Sequence, residues 1–248
     1  MEPAEPAACL AIHGLGGGPY ELQPLIDAVR ATGRRVEAPA LPGHEGPGPV
    51  MPASSWTDWT RAAEAWYDES AARRGPTSVV GFSTGALVAL HLASRRPVDR
   101  LVLIAPFFAI RYTRLLPFRP SRLLRICAKL RPDVPRRGPA VRDPEARRQV
   151  AALDRFRTFS LAAAVSALDL IEIVEPLLPA IDAPTLILQG SLDSVVEPCR
   201  AARLRERLGS RRKRLVMLPS SDHLAAFDRD RERLIAQTLA FLDEDVSE

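Results

Sequence analysis

The sequence predicts an α/β domain: a mostly parallel sheet of about six strands flanked by helices. Short β-branched runs alternate with helical apolar patterns, and most of those runs end at Gly, Pro or Ser. One connection, of about eighty residues between 105 and 185, exceeds any simple crossover and implies an insertion. With 248 residues, 46% of them hydrophobic, one domain of this kind buries a large core and no second domain is required.

The candidate strands in chain order are "ACLAIH" (8–13), "RVEAP" (35–39), "TSVVGF" (77–82), "RLVLIA" (100–105), "TLILQ" (185–189) and "RLVML" (214–218). Ahead of the third, "SSWTDWTRAAEAWYDESAARR" opens with Ser55 and Asp58 at capping-box spacing, Asp replacing the usual Glu. Trp56, Trp59, Ala63 and Trp66 then recur at helical spacing, which predicts a helix side turned to the core. Inside the long connection, "SRLLRICAKL" and "SLAAAVSALDLIEIVEPLL" have helical spacing, and prolines at 117, 120, 132, 135, 139 and 144 break the stretch between them. The expected organisation is a core of residues 1–108 and 181–248 with a helical cap insertion over 109–180.

Net charge is +4 and Arg supplies nearly all the cations, Lys129 and Lys213 being the only lysines. Residues 109–180 hold fourteen Arg or Lys against seven Asp or Glu, while the rest of the chain is slightly acidic. Such a segment attracts anionic ligands, acidic partners or a membrane surface, or is simply a solvated face, and packing of its helices on the protein is the expectation. "RRKR" (211–214) is short and lacks interleaved aromatics, so no nucleic-acid partner is expected. Cys9, Cys127 and Cys199 are odd in number and widely spaced, which suits neither a disulfide framework nor a metal site with paired ligands, and no metal is expected. The opening "MEPAEPAACLAIHG" carries no basic leader, and its apolar stretch is too short for a signal core or an integral membrane segment; a cytoplasmic protein is expected. The oligomeric state leaves no mark in the sequence.

The chemistry is carried by Gly81-Phe82-Ser83-Thr84-Gly85, where an apolar strand stops and an alanine-rich helix starts. A G-x-S-x-G sequence in that context is a nucleophile elbow, with small residues on either side letting the chain turn sharply and expose the hydroxyl. A serine needs a base to take its proton. Of four histidines, His91 lies eight residues into the following helix, about 12 Å along it, and points elsewhere. His13 and His44 lie in loops and read as hydrogen bonders. His223 follows the last strand, at the required end of the sheet, and Asp193 follows the fifth; the order Ser83, Asp193, His223 is that of a serine triad on an α/β sheet. Glu197 is the reserve acid. Backbone N–H groups of Leu15, in "HGLGGG", and Thr84 are the candidate oxyanion donors. A dinucleotide loop is excluded because Pro19 stands where its third glycine belongs.

"IHGLGG", "LPGHE", "GFSTGA", "APTLILQGSLDSVVEP" and "SSDH" resemble the blocks of bacterial α/β-hydrolase carboxylesterases and the related monoacylglycerol lipases, over nearly the whole chain outside 109–160. The resemblance implies hydrolysis of carboxylic esters with small to medium acyl chains, a cap over an apolar acyl pocket, no cofactor, and a small-molecule ester as the partner. Gly14, Phe107 and Phe108 are the expected pocket residues, with Leu115, Leu116 and Phe118 near the start of the cap. Monoacylglycerol lipase and thioesterase chemistry use the same triad. The chain departs from the family pattern in starting at what would be its third strand, and in the abundance of arginine in its cap.

Overall fold

In the computed structural model, which describes residues 7–46, 48–74, 77–109, 120–153 and 156–244, alternation along the strands sends apolar side chains to both faces of one sheet. Leu10 and Ile12 of β1 (Ala8–Ile12) enter one core while Cys9 and Ala11 enter the other. A parallel sheet buried on both faces demands such unbroken apolar strands. The remaining strands of this sheet are β2 (Arg35–Glu37), β3 (Ser78–Phe82), β4 (Leu101–Ile104), β7 (Thr185–Gly190) and β8 (Lys213–Leu218). All neighbours are parallel, and the six strands are those the sequence predicts; their order in the sheet is β2-β1-β3-β4-β7-β8.

Helices cover both faces. α1 (Gln23–Ala31) and α8 (Arg231–Asp243) bury Leu25, Ile26, Val29, Leu234 and Phe241 on one; α2 (Trp56–Arg74), α3 (Thr84–Ala93) and α7 (Cys199–Arg207) pack on the other. The expected capping box opens α2: Ser55 N–H donates to Asp58 Oδ2 (3.1 Å) and Asp58 N–H to Ser55 Oγ (3.4 Å). Its buried stripe runs through Trp59, Ala63 and Tyr67, while Trp56 and Trp66 are only half-buried at its edge.

Between β4 and β7 lie α4 (Pro120–Leu130), β5 (Asp133–Pro135), α5 (Pro144–Leu153), β6 (Thr158–Ser160) and α6 (Leu161–Val174). α6 packs on α3 and α4, and β5 pairs antiparallel with β6. Two of these elements depart from the reading that prolines simply interrupt the stretch. Pro144 starts α5, where a first-turn proline has no N–H to lose and Asp143 Oδ1 accepts the Ala146 N–H (2.8 Å). The β5–β6 pair is only three residues per strand, too short for a periodic signal.

The strand order reverses direction beside β1: the chain runs outward to β2, then returns to β3 on β1's other side. The crevice at the carboxyl ends of β1 and β3 is where open α/β sheets bind ligands. The loop after β1 and the turn after β3 meet there.

Candidate active site

Ser83 sits at the turn from β3 into α3 with φ 55° and ψ −117°, a conformation that costs a side-chain-bearing residue on the order of 1–3 kcal/mol. The turn is clamped from both sides: Ser83 N–H donates to Ile104 O (2.9 Å), and Ser83 O accepts from Ala86 N–H (3.0 Å) and Phe107 N–H (3.3 Å). The flanking glycines are required by close approach. A Cβ on Gly85 would lie 2.2 Å from the Ile12 carbonyl oxygen, and one on Gly81 2.5 Å from that of Gly85.

Three sequence-distant side chains converge here. His223 Nε2 lies 2.9 Å from Ser83 Oγ, and its Nδ1 lies 2.9 Å from Asp193 Oδ2. Asp193 is fully buried and its other oxygen accepts the N–H groups of Val195 and Val196, both at 2.8 Å. Burial works against the Asp193 carboxylate, but the neighbouring imidazole and these hydrogen bonds outweigh it and hold the carboxyl below its usual range. Burial likewise opposes charge on His223; Asp193 overcomes it, aided by Glu21 and Asp222, and raises the imidazole above its ordinary value. The pair is therefore poised to stabilise an imidazolium. Glu197, the reserve acid, approaches Cys199 Sγ (3.7 Å); Asp193 meets the imidazole.

Leu15, Thr84, Gly14, Phe107, Ser83 and His223 all line one cavity of about 330 Å³, and its remaining wall includes Phe82, Val150, Phe159, Val195 and Leu224. No described hydrogen bond takes the backbone N–H of Leu15 or of Thr84, so both donors are available to an oxyanion. Phe108 does not line this cavity. At Pro106 the chain turns, with Phe108 N–H bonded to Pro106 O (2.9 Å); the ring packs in the core and borders a separate cleft with Leu178 and Leu204. Leu115, Leu116 and Phe118 lie outside the described residues.

His13 and His44 knit the oxyanion loop to the "LPGHE" loop. His13 Nε2 accepts the Leu41 N–H (2.9 Å) while its Nδ1–H donates to Gly14 O (2.8 Å). His44 Nε2 accepts the Gly16 N–H (2.9 Å) and its Nδ1–H donates to Pro42 O (3.2 Å). Each role needs a neutral ring. Burial first, then the neighbouring His44, pushes His13 down to about 3. His91 is buried in α3, with Nδ1 3.7 Å from Glu64 Oε1, and belongs to another part of the molecule.

Sequence reasoning missed several groups. Glu21 is buried, lines the cavity and accepts the Gly14 N–H (3.1 Å), bracing the oxyanion loop. Gln189 donates to Asp193 Oδ2 (2.9 Å); a polar residue following the apolar run Leu186–Leu188 was the available signal. Asp222 Oδ1 accepts from Ser194 N–H, Ser194 Oγ–H and His223 N–H, tying the acid's loop to the base's loop. Arg136 and Arg137 line the cavity too, and nothing in their spacing told them from the other arginines of the segment.

The family model for serine aminopeptidase S33 matches residues 3–230. The thermostable monoacylglycerol lipase of Bacillus sp. (strain H-257) is 27% identical over 237 residues, 95% of this chain and 90% of that protein. A metagenome-derived lipolytic enzyme superposes with a TM-score of 0.78 at 25% identity, over 96% of this chain and 94% of its own. The monoacylglycerol lipase of Paleococcus ferrophilus superposes with a TM-score of 0.82 at 22% identity, over 95% and 93%, a likeness of fold.

Proposed function

The chain belongs to the serine aminopeptidase S33 family of α/β-hydrolases, and from that membership we propose that it hydrolyses carboxylic esters of small to medium acyl chain through an acyl-enzyme on Ser83. The carrying observation is the continuous relay Ser83 Oγ, His223, Asp193, at 2.9 Å per step, opening onto an apolar cavity. Ser83 Oγ attacks the ester carbonyl carbon as His223 Nε2 takes its proton. The carbonyl oxygen becomes an oxyanion held by the Leu15 and Thr84 amides. His223 then passes the proton to the departing alcohol oxygen as the C–O bond breaks. Water repeats the sequence on the acyl-enzyme, releasing the acid and restoring Ser83. The reaction so written uses no cofactor.

Within the family, the ester reading is favoured over aminopeptide cleavage by charge. An aminopeptidase must bind a substrate ammonium; the one carboxylate among the described lining residues, Glu21, is engaged by the Gly14 N–H, and Arg136 and Arg137 would repel a cation. The full-length likeness to a monoacylglycerol lipase supports a monoacylglycerol as one such ester. The segment 109–180 serves as the cap, Phe107 and Phe159 contributing to the acyl wall. No helix among the described residues is long and apolar enough to cross a membrane, and a cytoplasmic location without a nucleic-acid partner fits the three free cysteines and the short RRKR run.

A fluorophosphonate probe should label the protein at Ser83, with hydrolysis of p-nitrophenyl butyrate lost in parallel. Absence of labelling under conditions that modify a known serine esterase would refute the reading.

A further inference from the structure

We propose that the active-site cavity is built for an ester that carries an anionic group, a carboxylate or phosphate remote from the scissile carbonyl, received by Arg137 with Arg136 on the rim segment 136–140. This rests on the ester-hydrolase reading and adds a substrate class to it. Apart from His223, the charged residues that line the cavity, among the described residues, are Glu21, Arg136 and Arg137. Glu21 is buried and accepts the Gly14 N–H at 3.1 Å, so its charge serves the oxyanion loop. The described lining therefore carries an excess of positive charge along its rim.

The two arginines differ in how they are held. Arg136 is half-buried, and its backbone N–H donates to Arg157 O (2.9 Å) beside the β5–β6 pair. Its charge is a lesser influence on the buried His44, whose protonation burial opposes first, Glu45 favours and Arg136 disfavours. Arg137 is exposed and makes no hydrogen bond or ion pair with any described residue. Several described arginines of the segment are committed: Arg125 pairs with Asp169, Arg142 with Asp222 (3.3 Å), Arg148 with Glu145, and Arg147 donates to Val141 O; the exposed Arg131 and Arg157 are not among the cavity's lining residues. Arg137 is thus an uncommitted guanidinium on the wall of a cavity that also holds the nucleophile.

One ligand touches both. Its reacting carbonyl must reach Ser83 Oγ, and the apolar wall of Leu15, Phe82, Phe107, Val150 and Phe159 accepts a hydrocarbon linker. A guanidinium fork binds carboxylate or phosphate through paired N–H donors, and beside low-dielectric walls that attraction is less screened than at an open surface. A neutral ester leaves the cavity's charge unanswered; an ammonium ester is repelled.

The test compares kcat/KM for matched esters. On the acyl side these are mono-p-nitrophenyl suberate, with its free carboxylate, and the corresponding ω-amide. On the alcohol side they are the butyrate esters of 4-hydroxybenzoate and 4-hydroxybenzamide. The wild-type protein should favour the anionic member about tenfold in one arm, the arm identifying which side of the ester bears the charge. Arg137→Gln should bring that ratio within about twofold of unity, Arg137→Lys should retain part of it, and about 0.5 M NaCl should shrink it. Equal or lower rates for both anionic esters, or a preference unmoved by Arg137→Gln, would overturn the proposal. A second readout needs no turnover: by calorimetry, the Ser83→Ala protein should bind monomethyl suberate more tightly than its ω-amide, and lose that preference when Arg137→Gln is added. Neutral esters cleaved without anion preference would end this inference and leave ester hydrolysis standing. Arg137-dependent binding with no ester cleaved would do the reverse, and loss of both would remove both.

Discussion

Each member of the relay has a separable job, and the variants should show it. Ser83→Ala and His223→Ala should each cost on the order of 10⁶-fold in kcat, and Asp193→Asn about 10⁴-fold, with unchanged circular dichroism; parity among the three would contradict these roles. The gap reflects what Asp193 does: it orients the ring and stabilises its charge, while Val195, Val196 and Gln189 hold its own oxygens in place. The base must be neutral to accept the serine proton. Because Asp193, Glu21 and Asp222 outweigh burial and raise the His223 imidazole, kcat/KM should decline with falling pH through a midpoint above the ordinary histidine value of about 6.5. A pH–rate profile flat down to pH 4 would exclude a histidine base, and a midpoint well below 6 would contradict the raised imidazole.

At the level of elements, the site depends on loops held by side chains from outside them. The loop after β1 carries the Leu15 amide; Glu21 braces it through Gly14, while His13 and His44 tie it to the loop of residues 41–44. Removing the brace strands a buried N–H, a loss of about 1–3 kcal/mol. Glu21→Ala should therefore lower kcat at least tenfold with a smaller change in KM, whereas Glu21→Gln, which keeps an acceptor, should recover much of the stability; equal kcat in Glu21→Ala and wild type would show that the loop needs no such support. The elbow itself was legible because it is local: the glycines flanking Ser83, the strand before it and the helix after it adjoin in the chain. Glu21 was not, since a carboxylate two residues beyond a proline reads as exposed until the fold closes over it. Phe107 and Phe108 show the same limit on a finer scale, one turn sending adjacent rings into different compartments.

Across the whole molecule, protonation of the four histidines sets the response to acid. Burial lowers His13, His44 and His91, and only His223 is raised. A histidine lowered in the native state binds its proton more readily when unfolded, so its contribution is present above about pH 6.5 and is lost as pH falls toward the native value. His223 acts in the opposite sense, so the slope reads the balance between it and the three lowered rings, with His13, pushed to about 3, foremost among them. The urea midpoint should fall between pH 7 and pH 5, before carboxylate titration dominates, and His13→Asn should flatten that slope; a midpoint rising toward pH 5 would contradict this balance. The sequence by itself determined the strand order along the chain, the parallel architecture and which serine, acid and histidine stand at strand ends, because apolar period and turn chemistry act over a few residues. Only tertiary structure decided that Ser83, Asp193 and His223 meet at 2.9 Å, that Glu21 is buried beneath the oxyanion loop, and that Arg136 and Arg137, of the many arginines in the segment, border the cavity. Burial and pairing of charge depend on contacts between residues far apart in the chain, and no local pattern encodes them.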